Sequence, residues 1–276
     1  MTSRSNYTGE WRRLSNLSAE TAGVVHNEAV ARAMGFEAAV IPGNTVAQAA
    51  MPAVVDAFGI DWMRSGWYTF KFVAPVYAHD EVRESAEKSG DNISITVETR
   101  DGRTCSVGKA GLGTRPPWEQ LPSPNTDESV LPTLAIGSAC GERSVTMTRE
   151  SVATALSAAG DSTPWYGESS PLGSPLVPPE QFVSLGLQIT ADCGLSPTVQ
   201  LEGIRPPWMW TEHSAVVLQP PMLDQPYTMS QRIVDKGRSR KTVYLTLEFE
   251  VLDSAGVAAV VARHTVKWFA EDAQHD

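Results

Sequence analysis

The fold turns on Pro42-Gly43-Asn44 followed by Thr45 to Phe58 (TVAQAAMPAVVDAF) and Gly59. The stretch is rich in Ala and Val and nearly uncharged, so a helix built from it is apolar on most sides and belongs inside a protein. The Pro-Gly-Asn turn supplies an N-terminal cap and Gly59 a stop. Pro52 lies within the run and predicts a kink or a break.

Beyond this stretch the pattern changes to alternation. Strands are predicted at Trp67 to Phe72, Glu81 to Ser89, Asn92 to Arg100 and Thr104 to Leu112, with hairpin turns at Ser89-Gly90-Asp91 and Asp101-Gly102. The same order recurs later, as a helix over Val177 to Cys193 and strands at Glu212 to Leu218, Tyr227 to Asp235, Lys241 to Leu252 and Val257 to Phe269. Phe72 to Asp80 echoes Val217 to Asp224, and Asp101-Gly102 echoes Ala255-Gly256, at offsets of roughly 145 to 155 residues, so the chain reads as an internal duplication. A long helix wrapped by an antiparallel sheet, given twice, predicts an α+β double hot-dog fold. Edge-to-edge pairing of the two sheets would hide strand edges that each half exposes alone. Thr114 to Thr133 (TRPPWEQLPSPNTDESVLPT), with five prolines, reads as a surface linker between repeats at 1–113 and 134–276.

Composition narrows the function. The 276 residues carry 22 Lys+Arg against 32 Asp+Glu, a net charge of −10, which disfavours nucleic acid or an anionic membrane as partner. No run of about 18 uncharged apolar residues occurs, and Met1 to Arg13 has no apolar segment behind its charges, so a soluble cytoplasmic protein is expected. Cys105, Cys140 and Cys193 lack zinc-site spacing and read as small core residues; neither a metal nor a cofactor is expected. Gly108 to Gly113 is glycine-rich but ends a strand and lacks phosphate-loop or dinucleotide spacing.

Two segments carry a family resemblance. Val24-Val25-His26-Asn27-Glu28-Ala29 through Gly35-Phe36 and Val40-Ile41-Pro42-Gly43-Asn44, together with Ala159-Gly160-Asp161-Ser162-Thr163-Pro164-Trp165-Tyr166, resemble the MaoC-like (R)-specific enoyl-CoA hydratase and dehydratase family. The resemblance spans about Gly9 to Phe269. It implies a lyase acting on an acyl thioester (of CoA or a carrier protein) or a related β-hydroxy carbonyl compound, with Asp and His moving protons and helix N–H groups holding the carbonyl oxygen. The chain departs from the family pattern in both halves. Thr21 stands where the first half would carry its Asp, with Glu20 beside it, and Tyr166 stands where the second would carry its His.

On this reading His26 is the proton-transfer base, Asp161 or Tyr166 its partner, and the Gly43 and Asn44 amides polarise the carbonyl. Pro178 and Pro179 lack N–H groups, which favours a single working pocket in the first half. Trp62, Trp67, Trp165, Trp208 and Trp210 suggest an aromatic-lined cavity fit for a bulky substrate, with His213 facing a ligand tunnel. Lys236 to Lys241, with Arg238 and Arg240, forms a basic turn for CoA or pantetheine phosphates. Competing structural readings are a cap at Asn27, a turn at Gly160, core packing of the tryptophans and a solvated hairpin tip. Two functional alternatives stand beside the lyase: a repurposed cyclase or eliminating enzyme of specialised metabolism, and a non-catalytic acyl-binding or partner subunit. A homodimer is one expected assembly.

Overall fold

The computed structural model describes residues 6–21, 24–120, 127–192, 209–239 and 242–269. In chain order the elements are β1 (Asn6–Thr8), β2 (Arg12–Arg13), α1 (Glu28–Ala33), α2 (Gly43–Phe58), α3 (Asp61–Ser65), β3 (Gly66–Phe72), β4 (Glu81–Ser89), β5 (Asn92–Thr99), β6 (Thr104–Leu112), β7 (Ala139–Thr146), α4 (Arg149–Ala159), α5 (Glu180–Asp192), β8 (Met209–Val217), β9 (Pro226–Ser239), β10 (Thr242–Leu252) and β11 (Ala258–Phe269). The strands join in one antiparallel sheet of order β1-β4-β5-β6-β3-β8-β11-β10-β9-β7, with β2 paired to β4. The expected edge-to-edge pairing is the β3/β8 ladder, in which Thr69 faces Ser214 and Tyr68 faces Ala215.

The two predicted central helices form, and the sheet curls round them. Helix α2 buries Val46, Ala47, Ala49, Ala50, Met51, Ala53 and Val54, its small side chains allowing β4, β5, α4 and α5 to approach closely. It runs unbroken through Pro52, which lies on the less buried side of the helix. Helix α5 starts only at Glu180, because Pro178 and Pro179 precede it as a turn; Cys193 and Trp208 lie outside the described residues. Turns at Gly102 and Gly256 have φ of 90° and 77°, the left-handed conformation that made those positions recognisable as equivalents in the two repeats.

Two expectations are corrected. The proline-rich stretch is not wholly a surface crossing: Val130 and Leu131 are buried, packing with Ile233, Leu245, Leu247 and Trp268 in a second small core. Lys236 to Ser239 do not belong to a solvated basic turn, because they continue β9. The register slips between Thr246 and Leu247, leaving Val234 unopposed. A bulge of this kind reverses the alternation, so Ile233 faces inward before it and Lys236 faces inward after it. Lys236 is 1% exposed, its Nζ donating to Leu131 O at 3.0 Å and pairing with Glu128 at 3.4 Å. It is committed to the structure and is not offered to a phosphate. Arg238 is exposed on the strand, and Arg240 lies outside the described residues.

Candidate functional site

Backbone hydrogen bonds align the two repeats around their central helices. Val40 N donates to Val25 O and Ile41 N to Val76 O; in the second half Leu176 N donates to Trp165 O and Val177 N to Pro221 O. Bridges Val40–Tyr77 and Leu176–Met222 complete the match. On this frame His26 is the counterpart of Tyr166, Asn44 of Glu180, Gln48 of Ser184, and Tyr68 of His213. The halves share a backbone and differ in chemistry at each of these positions.

In the first half, Asn27 caps α1 through Oδ1, accepting from Ala29 N and Val30 N. This holds the preceding His26 against Val40, whose carbonyl lies 2.7 Å from Nδ1. A carbonyl only accepts, so Nδ1 carries the proton and Nε2 keeps its lone pair. Burial lowers the His26 pKa below its ordinary value, favouring the neutral base, while the Val40 bond opposes the shift. Thr21 and Glu20 are exposed, and among the described residues no hydrogen bond joins His26 to Asp161 or Tyr166. At the start of α2 the Phe72 ring lies over Gly43, where a Cβ would come within 3.1 Å of it. Asn44 Nδ2 donates to Ser184 Oγ at 2.5 Å, tying α2 to α5.

The second half gathers Asp161 and Tyr166 with three residues that the sequence did not single out, Gln48, Tyr68 and Glu180. Gly160, at φ 64°, ends α4 and turns Asp161 inward. Gln48 Nε2 donates to Asp161 Oδ2 at 2.6 Å and Thr163 N donates to Oδ1 at 2.8 Å. Burial raises the Asp161 pKa against these bonds. Tyr166 and Tyr68 are buried phenols pushed well above their ordinary range by desolvation, with Glu180 adding to both. Glu180, at the first position of α5, is 0% exposed and its pKa is pushed up to about 7 by burial, with the Tyr68 hydroxyl lowering it and Asp161 raising it. Neither Glu180 carboxyl oxygen has a partner in hydrogen-bond geometry; the same is true of Tyr166 OH and Gln48 Oε1. Buried polar atoms left open this way are costly, and here they concentrate at one place. The sequence carries one signal for Glu180: a carboxylate directly after Pro178-Pro179, where the helix begins.

The aromatic residues divide. Trp67 and Trp165 are half-buried, and Trp165 packs against the main core. Trp210 stacks on His264 at 5.5 Å, and His264 faces His213 across the β8/β11 ladder. His213 is buried with its Nε2 2.5 Å from Tyr68 OH, joining the same polar cluster. Desolvation lowers His213 to about 3 and His264 to about 4. Each keeps stability that is complete above the unfolded value near 6.5 and is lost as pH falls through the folded value. His264→Phe should therefore flatten the acid limb of stability, removing roughly 3 kcal/mol of the loss between about pH 6.5 and 4. Denaturant melts of both proteins across that range check this; parallel acid limbs would refute it. Among the described residues no group of three His, Cys, Asp or Glu side chains is placed to hold a metal ion, and no helix is long and apolar enough to cross a membrane.

Comparison with known proteins places the fold. No protein-family model matches the chain, and no curated protein matches it in sequence. Among solved structures, a protein from Chloroflexus aurantiacus J-10-fl provisionally designated a MaoC domain dehydratase is similar with TM-score 0.66 at 13% identity, covering 97% of this chain and 96% of that one. A conserved hypothetical protein from Mycobacterium tuberculosis described as a double hot-dog fold gives TM-score 0.60 at 11% identity, covering 96% and 97%. A provisionally designated oleoyl thioesterase from Lactobacillus plantarum gives 0.52 at 10% identity, covering 98% of each chain. The expected likeness to MaoC-like dehydratase structures thus holds for the double hot-dog fold over nearly the whole chain. The thioesterase on the same fold means that the reaction must be argued from the site.

Proposed function

We propose that the chain is a lyase that adds or eliminates water on an acyl thioester of CoA or a carrier protein, or on a related β-hydroxy carbonyl compound, and that its working pocket is the cluster of Asp161, Tyr166 and Glu180 with Gln48 and Tyr68. The observation that carries the proposal is Glu180, a fully buried carboxyl with both oxygens open and a pKa near neutrality. Elimination of water needs a base for the C2 proton, an acid for the C3 hydroxyl and a donor for the thioester oxygen as enolate charge develops. A carboxyl poised near 7 exchanges protons at working pH, which suits Glu180 to the hydroxyl end. Asp161, fixed by Gln48 and Thr163, is the second carboxyl for the C2 proton. Tyr166, kept protonated by burial, is an open donor where Pro178 and Pro179 remove the helix N–H groups, and it takes the oxyanion role.

A second reading keeps the first-half pocket, with His26 as base and the Gly43 and Asn44 amides as donors. The fixed Nδ1 tautomer, with its free Nε2 lone pair, favours it. A panel of enoyl and 3-hydroxyacyl thioesters of graded chain and ring size separates the two, assayed with the parent, Asp161→Ala and His26→Ala. Turnover by the parent, lost in Asp161→Ala and kept in His26→Ala, supports the proposed pocket; the opposite pattern transfers the chemistry to His26. Absence of turnover on the whole panel would overturn the lyase in favour of a repurposed eliminating enzyme or an acyl-binding subunit.

A further inference from the structure

Gln48 stands on α2 one helical turn after Asn44, so the two amides lie on one face of the helix. Asn44 is engaged by Ser184, to whose Oγ its Nδ2 donates at 2.5 Å. Gln48 is drawn instead to the second-half cluster. It is 1% exposed, and its Nε2 donates to Asp161 Oδ2 at 2.6 Å. A carboxylate only accepts, and Thr163 N already donates to Oδ1 at 2.8 Å, so the carboxamide is fixed with its nitrogen toward Asp161. Gln48 Oε1 is thereby turned away from Asp161, enclosed and without a hydrogen-bond partner. Tyr166 OH is open as well, and no hydrogen bond joins the two. Ser184, the counterpart of Gln48, has no amide to orient, so this fixed acceptor occurs in one half only.

We infer that Gln48 is a specificity-determining residue that reads the substituent at C3, and that the pocket takes 3-hydroxyacyl thioesters in preference to 3-oxoacyl or saturated ones. This selection rests on the pocket proposed above, in which Asp161 faces C2 and Glu180 the C3 hydroxyl. Gln48 is bonded to Asp161, which sets its carboxamide beside the group that works at the neighbouring carbon. A hydroxyl at C3 then uses both of its capacities: its oxygen accepts from the Glu180 carboxyl, and its proton goes to Gln48 Oε1. A saturated C3 leaves Oε1 buried and unpaired, and a C3 carbonyl sets two acceptors against each other. A site that hydrogen-bonds a hydroxyl rejects the analogue lacking it for this reason, by about 10- to 100-fold where one neutral bond is at stake.

Calorimetric binding of matched pantetheine thioesters to the intact protein tests the selection, with 3-hydroxyacyl, saturated acyl and 3-oxoacyl forms of the same chain. It is run at about pH 6, where the Glu180 carboxyl, pushed up to about 7, is mostly protonated. The parent is expected to hold the 3-hydroxyacyl compound about 10- to 100-fold tighter than the other two. Gln48→Met, which keeps the length of the side chain and removes the amide, should bring all of them within about 3-fold. Asp161→Asn should change the ranking while leaving Gln48 in place. Thr163 N holds the side-chain oxygen, so the new amide nitrogen faces Gln48, which turns Oε1 to it and presents Nε2 to the ligand. The 3-oxoacyl compound should then bind at least as tightly as the 3-hydroxyacyl one. The parent's ranking retained in Gln48→Met, or retained in Asp161→Asn, overturns the role of Gln48. Equal binding of all the thioesters by the parent overturns it too and leaves the lyase standing, whereas binding of none removes the lyase and the selection together. If Gln48→Met fails to fold, the comparison of parent with Asp161→Asn still decides.

Discussion

Glu180→Gln should lower turnover by about 100- to 10,000-fold on any thioester the parent accepts, the range of a lost proton-transfer group, and should at the same time make the protein more stable above neutral pH. The second half follows from the sign of the pKa shift. Burial raises the folded carboxyl from an ordinary 4.5 to about 7. Stability tied to that group is complete below 4.5 and is lost as pH rises through 7, at a cost of roughly 3 kcal/mol once both states are ionised. Gln keeps the shape without the charge, so the gain should be seen at about pH 8 and be absent at about pH 4. Denaturant melts at both pH values, run beside the assays, check it. Loss of activity together with an equal stability at pH 8 would mean that Glu180 is not held as the buried, unpaired carboxyl described. A residue that merely supported the fold would lower both properties on removal. Opposite signs identify a group retained for chemistry at a cost in stability.

The helices and strands were largely legible because they follow periodicity, and the duplication was legible because turn chemistry repeats, as at Gly102 and Gly256. Helix α4 and the edge strands β1, β2 and β7 were not marked, being short or weakly patterned. Lys236 shows a different limit: its inward orientation depends on one unopposed residue, Val234, and a register slip leaves no mark in composition. Of the proposed pocket, Asp161 and Tyr166 were found through their local motif. Gln48, Tyr68 and Glu180 come from a helix, a strand and a helix start far apart in the chain, and no local motif surrounds any of them. Only the pseudo-twofold packing of α2 against α5 across the β3/β8 seam brings them together. The motif put the pocket in the half that kept its histidine; the open buried atoms favour the half that lost it.

Arg12→Ala should destabilise the protein by about 3 to 5 kcal/mol, the cost of stranding a buried carboxylate. Arg12 lies in a short stretch, Trp11-Arg12-Arg13, that the sequence marks only as charged. Its guanidinium pairs with Glu84 at 2.7 Å, and Glu84 is 1% exposed on β4. It also donates through Nε to Ala159 O at 3.1 Å and through Nη2 to Ala49 O at 2.5 Å. One side chain therefore ties the N-terminal segment, β4, α2 and the end of α4, and a Cβ on Gly160 would fall 2.5 Å from its Cδ. Removal leaves Glu84 with Tyr7 OH at 3.1 Å as its hydrogen-bond donor, too little for an ionised carboxylate in the core. Arg12→Met with Glu84→Gln should recover part of the loss, because the charge and its counter-charge leave together. Chemical denaturation of the single and double variants measures this; additive losses would show that the pair is not coupled. Asp161 follows Gly160 directly, so the Ala variant should also weaken any turnover at the proposed pocket, whereas the double variant, which keeps its packing, should retain more of it.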